Sequence, residues 1–143
     1  MEKNRQLVEE AFTRWSRGQG SFLDLMDDDG IVVIPGTAAH CGTMRKQQFV
    51  TEVAAPFMSR FSKRPVPIPS LIVATANEVV VVAHAEGTTL DGKLYRNDYV
   101  FVLEFRDGRL LKATEFLDMV AFNSVWDSVA PTTGVNVSVK QPR

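Results

Sequence analysis

The feature that most constrains this chain is a pair of Asp-Gly dipeptides, at positions 91–92 and 107–108, each flanked by residues that alternate between apolar and polar. An Asp-Gly pair in such a setting is the strongest short-range signal for a β-hairpin. The region from Val79 to Asp118 is therefore predicted to form three consecutive antiparallel strands. Side chains alternate between the two faces of a strand, so the register of each hairpin decides which residues face inward.

The first hairpin is predicted to close through a tight two-residue turn at Asp91-Gly92. Every second residue then shares one face of the sheet with its partner across the hairpin. The pairs are Leu90 with Lys93, Thr88 with Tyr95, Glu86 with Asn97, His84 with Tyr99, and Val82 with Phe101. This register predicts a polar cluster of His84, Glu86, Asn97 and Tyr99 on an otherwise apolar inner face, which is typical of a site for small molecules.

The second turn, Asp107-Gly108, is compatible with two registers. A tight turn would place Lys112, Thr114, Phe116 and Asp118 on the inner face, whereas a glycine bulge would place Leu111, Ala113, Glu115 and Leu117 there. The bulge is favoured, because a lysine on the core face would carry a large desolvation cost. Glu115 is then predicted to face inward, near His84.

The length and charge of the chain limit how many domains it can form and which kinds of partner it can bind. A chain of 143 residues that is 45% hydrophobic and 23% charged suits one domain with a substantial core. We predict a single domain over residues 1–130 and a C-terminal tail over residues 131–143, which could pack on a second subunit. The net charge of -1 and the absence of any lysine or arginine run argue against nucleic-acid binding.

The chain's ends and its cysteine content point to a cytoplasmic protein. The N-terminus is charged rather than signal-like, and no apolar stretch is long enough to cross a membrane, so no membrane partner is predicted. Cys41 is the single cysteine, which rules out an intrachain disulfide and gives no metal-ligand pattern. No phosphate loop, nucleotide fingerprint or metal cluster is present either, so any chemistry is expected to be cofactor-free acid/base work.

Helical patterns surround the strands. Apolar residues recur at helical spacing up to Trp15, and Phe49, Val53, Phe57 and Phe61 recur at every fourth position, with a kink expected at Pro56. A short last helix is predicted from about residue 119 to residue 129. The order of elements predicts an α+β domain in which helices cover the concave face of a curved, mostly antiparallel sheet around a pocket.

Several stretches, taken in order, resemble a known family. They are the helix ending in Trp15, the loop from Pro35 to Gly42, the strand from Val79 to Thr88, the run from Tyr95 to Leu110, and Glu115 to Asp118. Together they resemble the cone-shaped proteins grouped around nuclear transport factor 2, especially the SnoaL-like polyketide cyclases. The resemblance implies a cone-shaped mixed sheet, called a cystatin-like α+β barrel, and a homodimer formed through the outer sheet face, where Val100 and Val102 lie.

This fold hosts ketosteroid isomerases, polyketide cyclases, scytalone dehydratase, limonene epoxide hydrolase and non-catalytic binding proteins, so the fold alone does not fix the activity. The second active-site aspartate of limonene epoxide hydrolase would fall on Glu115. Its paired arginine and aspartate would fall on Val82 and His84, however, so that activity is rejected. The cyclases and scytalone dehydratase are closer in kind, because they use histidine or carboxylate groups on oxygenated rings.

The resulting hypothesis is a cofactor-free isomerase, cyclase or dehydratase acting on a small apolar cyclic or polyketide-like molecule. His84 is predicted to be the general base or acid, with Glu115 orienting it or sharing its role. The predicted substrate-binding residues are Asn97, Tyr99, Glu86, Val82, Ala113, Leu117, Trp15 and Phe122. The alternatives are a small-molecule binding protein without turnover and a dimeric association module.

Overall fold

The structure, a computed structural model, describes residues 2–131. Four α-helices and seven strands follow one another in these residues. They are α1 (Glu2–Ser16), a 3₁₀ turn (Phe22–Leu25), β1 (Met26–Ile34), β2 (Gly42–Arg45), α2 (Lys46–Phe49), a π-helix (Val50–Ala54), α3 (Ala55–Met58), β3 (Phe61–Lys63), β4 (Ile68–Ala74), β5 (Glu78–Thr89), β6 (Leu94–Arg106), β7 (Arg109–Leu117) and α4 (Met119–Ser128). The predicted α+β class is confirmed.

The strands of the described residues form one curved, unclosed sheet in the order β2-β1-β7-β6-β5-β3, with β4 also paired to β5. The pairing of β1 with β7 is parallel, and the other pairings are antiparallel. One hydrophobic core joins α1, the helical segment over residues 46–58 and α4 to the inner face of the sheet. Helices therefore cover one face of the sheet, and no helix within residues 2–131 covers the other.

The helices follow the sequence pattern with one exception. α1 buries Val8, Ala11 and Phe12, as its spacing predicts. Pro56 lies in the first turn of α3, directly after the π-helix, whose wider turn accommodates a residue that has no N–H group to donate. The prediction that Phe61 continues this helix is wrong, because the helix ends at Met58 and Phe61 begins β3.

The predicted register of the first hairpin is wrong by one residue. Thr88 pairs with Leu94 and His84 pairs with Asp98, not with Tyr99. The loop has three residues rather than two: the N–H of Thr89 donates to the carbonyl of Lys93 at 2.8 Å, and Gly92 has a φ of 87°. This is a wider turn completed by a glycine bulge.

The hydroxyl of Thr89 stabilises this wider loop. Thr89 is almost fully buried, and its Oγ1 accepts a hydrogen bond of 2.8 Å from the N–H of Lys93. The same hydroxyl donates to the carboxylate of Asp91. Because the register differs by one residue, Val82, His84 and Glu86 lie on the outer face, and Ala83, Ala85 and Gly87 occupy the inner face instead.

The second hairpin also differs from the prediction at its turn. Arg106 pairs directly with Arg109, and both Asp107 and Gly108 have positive φ angles, 53° and 76°. This is the tight turn that a two-residue Asp-Gly loop adopts, so the bulge expected at Gly108 is wrong.

A bulge nevertheless occurs further along β7. Phe105 pairs with Leu110, whereas Glu104 pairs with Lys112, which leaves Leu111 as the extra residue. The register beyond it restores the predicted orientation: Ala113, Glu115 and Leu117 face inward. Leu110 rather than Leu111 fills the core at this end of the strand.

The C-terminal part of the described chain is helical. The last helix forms from Met119 to Ser128, close to the predicted bounds. The predicted tail lies outside the described residues from position 132 onward, so its packing and the domain boundary near residue 130 stay predictions. None of the helices in residues 2–131 is both long enough and apolar enough to span a membrane.

Candidate functional site

A cavity of about 600 Å³ lies between the inner face of the sheet and the helical segment over residues 46–58. This volume is in the range that proteins use for small organic ligands. Apolar and aromatic side chains form most of its wall, namely Trp15, Phe22, Leu23, Phe49, Val53, Phe57, Met58, Leu117 and Phe122. Residues of the connector 64–67 and of the turn before β1, namely Gly18, Gly20, Ser21 and Asp24, also line it.

Glu115 is the buried carboxylate of this cavity. Its side chain lies on the inner face of β7 and is only 8% exposed. It makes no hydrogen bond or ion pair with any other residue of the described range 2–131. Burial raises the pKa of Glu115 to about 7. Both its charged and its neutral form are therefore populated near neutral pH, as proton transfer requires.

Tyr99 adds a hydroxyl group to the same wall. Its oxygen lies 2.8 Å from the hydroxyl oxygen of Tyr95, which in turn accepts a hydrogen bond of 2.7 Å from Nδ2 of Asn97. The Tyr95 proton can then be donated to the Tyr99 oxygen, which leaves the Tyr99 proton available to a ligand. Burial raises the pKa of Tyr95 to about 12 and that of Tyr99 well above its ordinary value, so both hydroxyls keep their protons at neutral pH.

Asn97 is fully engaged by the protein itself. Its Oδ1 accepts from the N–H of Asp118 at 3.0 Å, and its Nδ2 donates to the carbonyl of Asp118 at 3.0 Å as well as to Tyr95. Asp118 then caps α4 through hydrogen bonds to the N–H groups of Val120 and Ala121. Asn97 was predicted to bind substrate, but the structure places it where it joins β6 to the start of α4.

His84 lies outside the cavity, on the outer face of the sheet. Its Nδ1 is 2.8 Å from Asp98, and its Nε2 is 2.9 Å from Glu86. These hydrogen bonds, first that of Glu86 and then that of Asp98, raise the pKa of His84. The predicted pairing of His84 with Glu115 is therefore wrong, because the one-residue difference in register puts the two side chains on opposite faces.

The remaining predicted site residues divide between the cavity wall and other positions. Trp15, Tyr99, Leu117 and Phe122 line the cavity together with Glu115. Val82 and Glu86 lie on the outer face with His84. Ala113 faces inward but is fully buried in the core.

The aromatic part of the wall is held by ring contacts. Phe122 stacks on Phe57 with ring centroids 4.0 Å apart, and Trp15 packs against Phe22 at 5.6 Å. The recurrence of Phe49, Val53 and Phe57 at every fourth position identified this ridge in the sequence, although only as a surface that packs on the sheet. The ridge does pack on the sheet, since the ring centroids of Phe57 and Tyr95 lie 5.4 Å apart, and it also lines the cavity.

Two cations of the wall, Lys46 and Arg64, were not predicted. Lys46 is half-buried at the start of α2, and Arg64 is exposed in the connector between β3 and β4. No pattern in the sequence marks either residue, since each comes from a segment distant from the hairpins. Within residues 2–131, no three histidine, cysteine, aspartate or glutamate side chains lie close enough to share a metal ion.

Comparisons with known proteins give the following likenesses. A family model for the SnoaL-like domain matches residues 8–113. An NTF2-like protein from Burkholderia xenovorans LB400 is 26% identical over 87% of this chain and 95% of its own, with a TM-score of 0.62. TerC, co-crystallized with polyporic acid, is 23% identical over 88% of this chain and 99% of its own, with a TM-score of 0.69.

A protein from Jannaschia sp. CCS1, proposed to be a SnoaL-like polyketide cyclase, is 16% identical over 89% of this chain and 93% of its own, with a TM-score of 0.69. The comparison with curated proteins finds no significant match. The structural likenesses confirm the fold that the sequence predicts.

Proposed function

Because this chain belongs to the SnoaL-like domain family, we propose that its cavity binds a small, largely apolar molecule and carries out acid/base chemistry on it. The reaction would be of the isomerase, cyclase or dehydratase type found in this fold. The observation that carries the proposal is the position of Glu115: a carboxylate without a protein partner in residues 2–131, buried at a cavity wall, with its pKa raised to about 7.

The proposed mechanism uses Glu115 and Tyr99 in different roles. The charged form of Glu115 takes a proton from a carbon next to a substrate carbonyl, and the C–H electron pair moves to give an enolate. The hydroxyl of Tyr99 donates a hydrogen bond to the carbonyl oxygen as its negative charge develops. Protonated Glu115 then returns its proton to a second carbon, or to a hydroxyl group that leaves as water.

Tyr95 is assigned a positioning role in this scheme. Its hydroxyl accepts from Asn97, so its own proton is directed to the Tyr99 oxygen. That arrangement keeps the Tyr99 proton pointed away from Tyr95 and available to the cavity. The second candidate function, binding without turnover, is favoured by the aromatic wall, which would hold a flat ring whether or not Glu115 reacts.

The test does not require the natural substrate. 2-Tetralone is a flat ketone with acidic α-protons, and their exchange in D₂O can be followed by NMR. We expect the wild-type protein to accelerate this exchange and Glu115→Gln to slow it by roughly 10²-fold or more. His84→Gln is the matched control, since His84 lies on the outer face, and it should exchange at the wild-type rate.

Two results of this experiment would decide against the mechanism. Equal exchange rates for wild type and Glu115→Gln would contradict the role of Glu115. Binding of 2-tetralone or of polyporic acid without any accelerated exchange would instead favour the binding-protein alternative. Polyporic acid is included because TerC, which shares this fold, was co-crystallized with it.

The outer sheet face supports a second proposal, that the chain forms a homodimer. Neighbouring strands place four apolar residues side by side: Leu71 of β4 pairs with Val82 of β5, Val82 with Val100 of β6, and Val100 with Phe116 of β7. Their side chains therefore form one apolar row on this face. Leu71 is 54% exposed and Phe116 is 48% exposed, which is unusual for a row of large apolar side chains. A partner that covers the row would remove this surface from water.

The charges around this row favour a second copy of the chain as the partner. Charged and polar residues lie on both sides of the row. On one side are His84, Glu86, Arg96 and Asp98, and on the other side are Glu78, Glu104 and Lys112. Both groups contain both signs of charge. Two copies related by a two-fold axis can therefore bury their apolar rows against each other inside a polar rim. Charges of one sign would not have to face only charges of the same sign.

A further inference from the structure

We propose that the molecule bound in the cavity is a flat organic anion whose acidic group is held by Lys46 and Arg64, while its opposite end lies against Glu115. This inference rests on the proposed function, because it names the chemical class of the ligand for the same cavity. It is carried by the charged residues of the wall, their partners and their depth.

Of the residues that the structure describes, four with charged side chains line the cavity: Asp24, Lys46, Arg64 and Glu115. Asp24 is already engaged, because its Oδ2 accepts from the N–H of Ser21 at 3.2 Å in the cap of the 3₁₀ turn. Glu115 is the buried proton-transfer group discussed above. The two cations are the other charged groups of this wall, and neither has a carboxylate partner in residues 2–131.

Lys46 is a half-buried ammonium group without a carboxylate partner in residues 2–131. Its Nζ donates to the carbonyl of Met26 at 3.0 Å, which uses one of its three N–H donors. An ammonium group placed against an apolar wall costs free energy unless an opposite charge compensates it. An anionic ligand would supply that charge and accept the remaining donors.

Arg64 provides a second cation closer to solvent. It makes no hydrogen bond or ion pair with the rest of the described chain, and its side chain is exposed at the edge of the cavity. Its guanidinium can hold a carboxylate or a related acidic group with two parallel hydrogen bonds. Arg64 and Lys46 are therefore two donor groups of this wall that no carboxylate of residues 2–131 occupies.

Depth fixes the orientation of the ligand. Arg64 is exposed, Lys46 is half-buried and Glu115 is only 8% exposed, so the cations lie nearer to solvent than the carboxylate. An acidic group directed at Glu115 would meet a like charge whenever Glu115 is ionised, whereas at the cations it is attracted. The apolar ridge of Phe49, Val53 and Phe57 would contact the ring body between these two ends.

The test compares ligands that share a shape and differ in charge. 2-Naphthoic acid, 2-naphthamide and 2-naphthylmethylamine are titrated into the wild-type protein, and binding is followed by calorimetry. We expect the acid to bind about tenfold more tightly than the amide, the scale of one charge-assisted hydrogen bond. Added salt should weaken binding of the acid and leave the amide unchanged, because it screens the cations.

Variants of Lys46 and Arg64 test whether these two residues cause the preference for the acid over the amide. Arg64→Gln and the double variant Lys46→Met with Arg64→Gln should reduce and then abolish the preference for the acid. The affinity for the amide should fall much less than that for the acid, and an unchanged midpoint of urea unfolding shows that the variants are folded. Lys63→Gln is the matched control, since Lys63 is an exposed cation of the neighbouring strand that does not line the cavity, and it should keep the preference.

Each alternative result contradicts a different part of the inference. Equal affinities for acid and amide, or tighter binding of the amine, would overturn the anionic ligand while leaving 2-tetralone exchange by Glu115 intact. A preference for the acid that survives in the double variant would overturn the assignment to Lys46 and Arg64. Binding of none of the three probes would overturn both this inference and the proposed ligand cavity.

Discussion

The hydroxyl oxygens of Tyr95 and Tyr99 lie 2.8 Å apart on the inner face of β6, and only Tyr99 lines the large cavity. The distance is that of a hydrogen bond between two protonated phenols. One tyrosine can therefore set the direction of the other's proton without contacting the ligand itself. This relationship gives a testable order of effects for the two residues.

We expect Tyr99→Phe to reduce the α-proton exchange of 2-tetralone by roughly 10²-fold, the scale of losing one donor to a developing oxyanion. Tyr95→Phe should have a smaller effect, about tenfold, because Tyr99 keeps its hydroxyl but loses the partner that orients it. NMR exchange rates for both variants, over a range of ketone concentrations, check this order. A larger loss in Tyr95→Phe than in Tyr99→Phe would contradict the assigned roles.

Glu115 should make the protein less stable as the pH rises. Its ordinary pKa of 4.5 applies to the unfolded chain, and burial raises its pKa to about 7 in the folded protein. The folded state therefore binds more protons between these values, and the free energy of unfolding falls by about 3 kcal/mol from below pH 4.5 to above pH 7 through this group. Above pH 7 the loss is complete.

Glu115→Gln should remove most of this dependence, since glutamine stays neutral. We expect the variant to unfold at higher urea concentration than the wild-type protein at pH 8, and at a similar concentration at pH 4.5. A less stable variant at pH 8 would show that the charged form of Glu115 has a stabilising partner. A gain in stability together with a loss of exchange activity is the combination that a proton-transfer group predicts.

Asn97→Ala should destabilise the fold because three hydrogen bonds depend on this side chain. The N–H and the carbonyl of Asp118 and the hydroxyl of Tyr95 would lose their partner. We expect a loss of about 2–3 kcal/mol in the free energy of unfolding, as for buried polar groups left unpaired. Asn77→Ala is the control for urea unfolding: Asn77 is exposed and donates no side-chain hydrogen bond to residues 2–131, so its loss should stay near zero.

Phe116→Lys should separate the proposed homodimer into monomers. The substitution places a charge at the β7 end of the apolar row on the outer face, where a dimer would have to bury it. Val120→Lys is the matched control, because Val120 is 81% exposed on α4 and is not one of the strand residues that form the row. Analytical ultracentrifugation should give dimers for wild type and Val120→Lys and monomers for Phe116→Lys; a monomeric wild-type protein would refute the dimer.

Most of the fold follows from the sequence because helix and strand periods are local properties. The spacing that ends at Trp15 predicts α1, and alternating residues predict β5, β6 and β7. The register could not be derived in the same way. An Asp-Gly pair fits both a tight turn and a loop that ends in a glycine bulge, and the buried hydroxyl of Thr89 stabilises the wider loop at Gly92.

The two turn types that fit an Asp-Gly pair also explain which site residues could be predicted from the sequence. Glu115 faces inward as predicted, although the bulge that orients it lies at Leu111 and not at Gly108. His84 was assigned to the cavity because its face depended on a turn type that the sequence does not specify. Lys46 and Arg64 enter the cavity from segments whose approach to the sheet depends on tertiary packing, which no local pattern describes.

Alternate residues of β6 face opposite sides of the sheet, so a substitution can change the cavity without changing the outer face, and the reverse. Tyr95, Asn97 and Tyr99 occupy odd-numbered positions and face the interior, whereas Arg96, Asp98 and Val100 occupy even-numbered positions and face outward. Substitution within one set can change ligand selectivity while the other set, and any quaternary contact it makes, keeps its side chains. Conversely, an insertion or deletion of one residue at the turn beside Gly92 could exchange the two sets, so the length of that short loop matters more to this protein than its composition does.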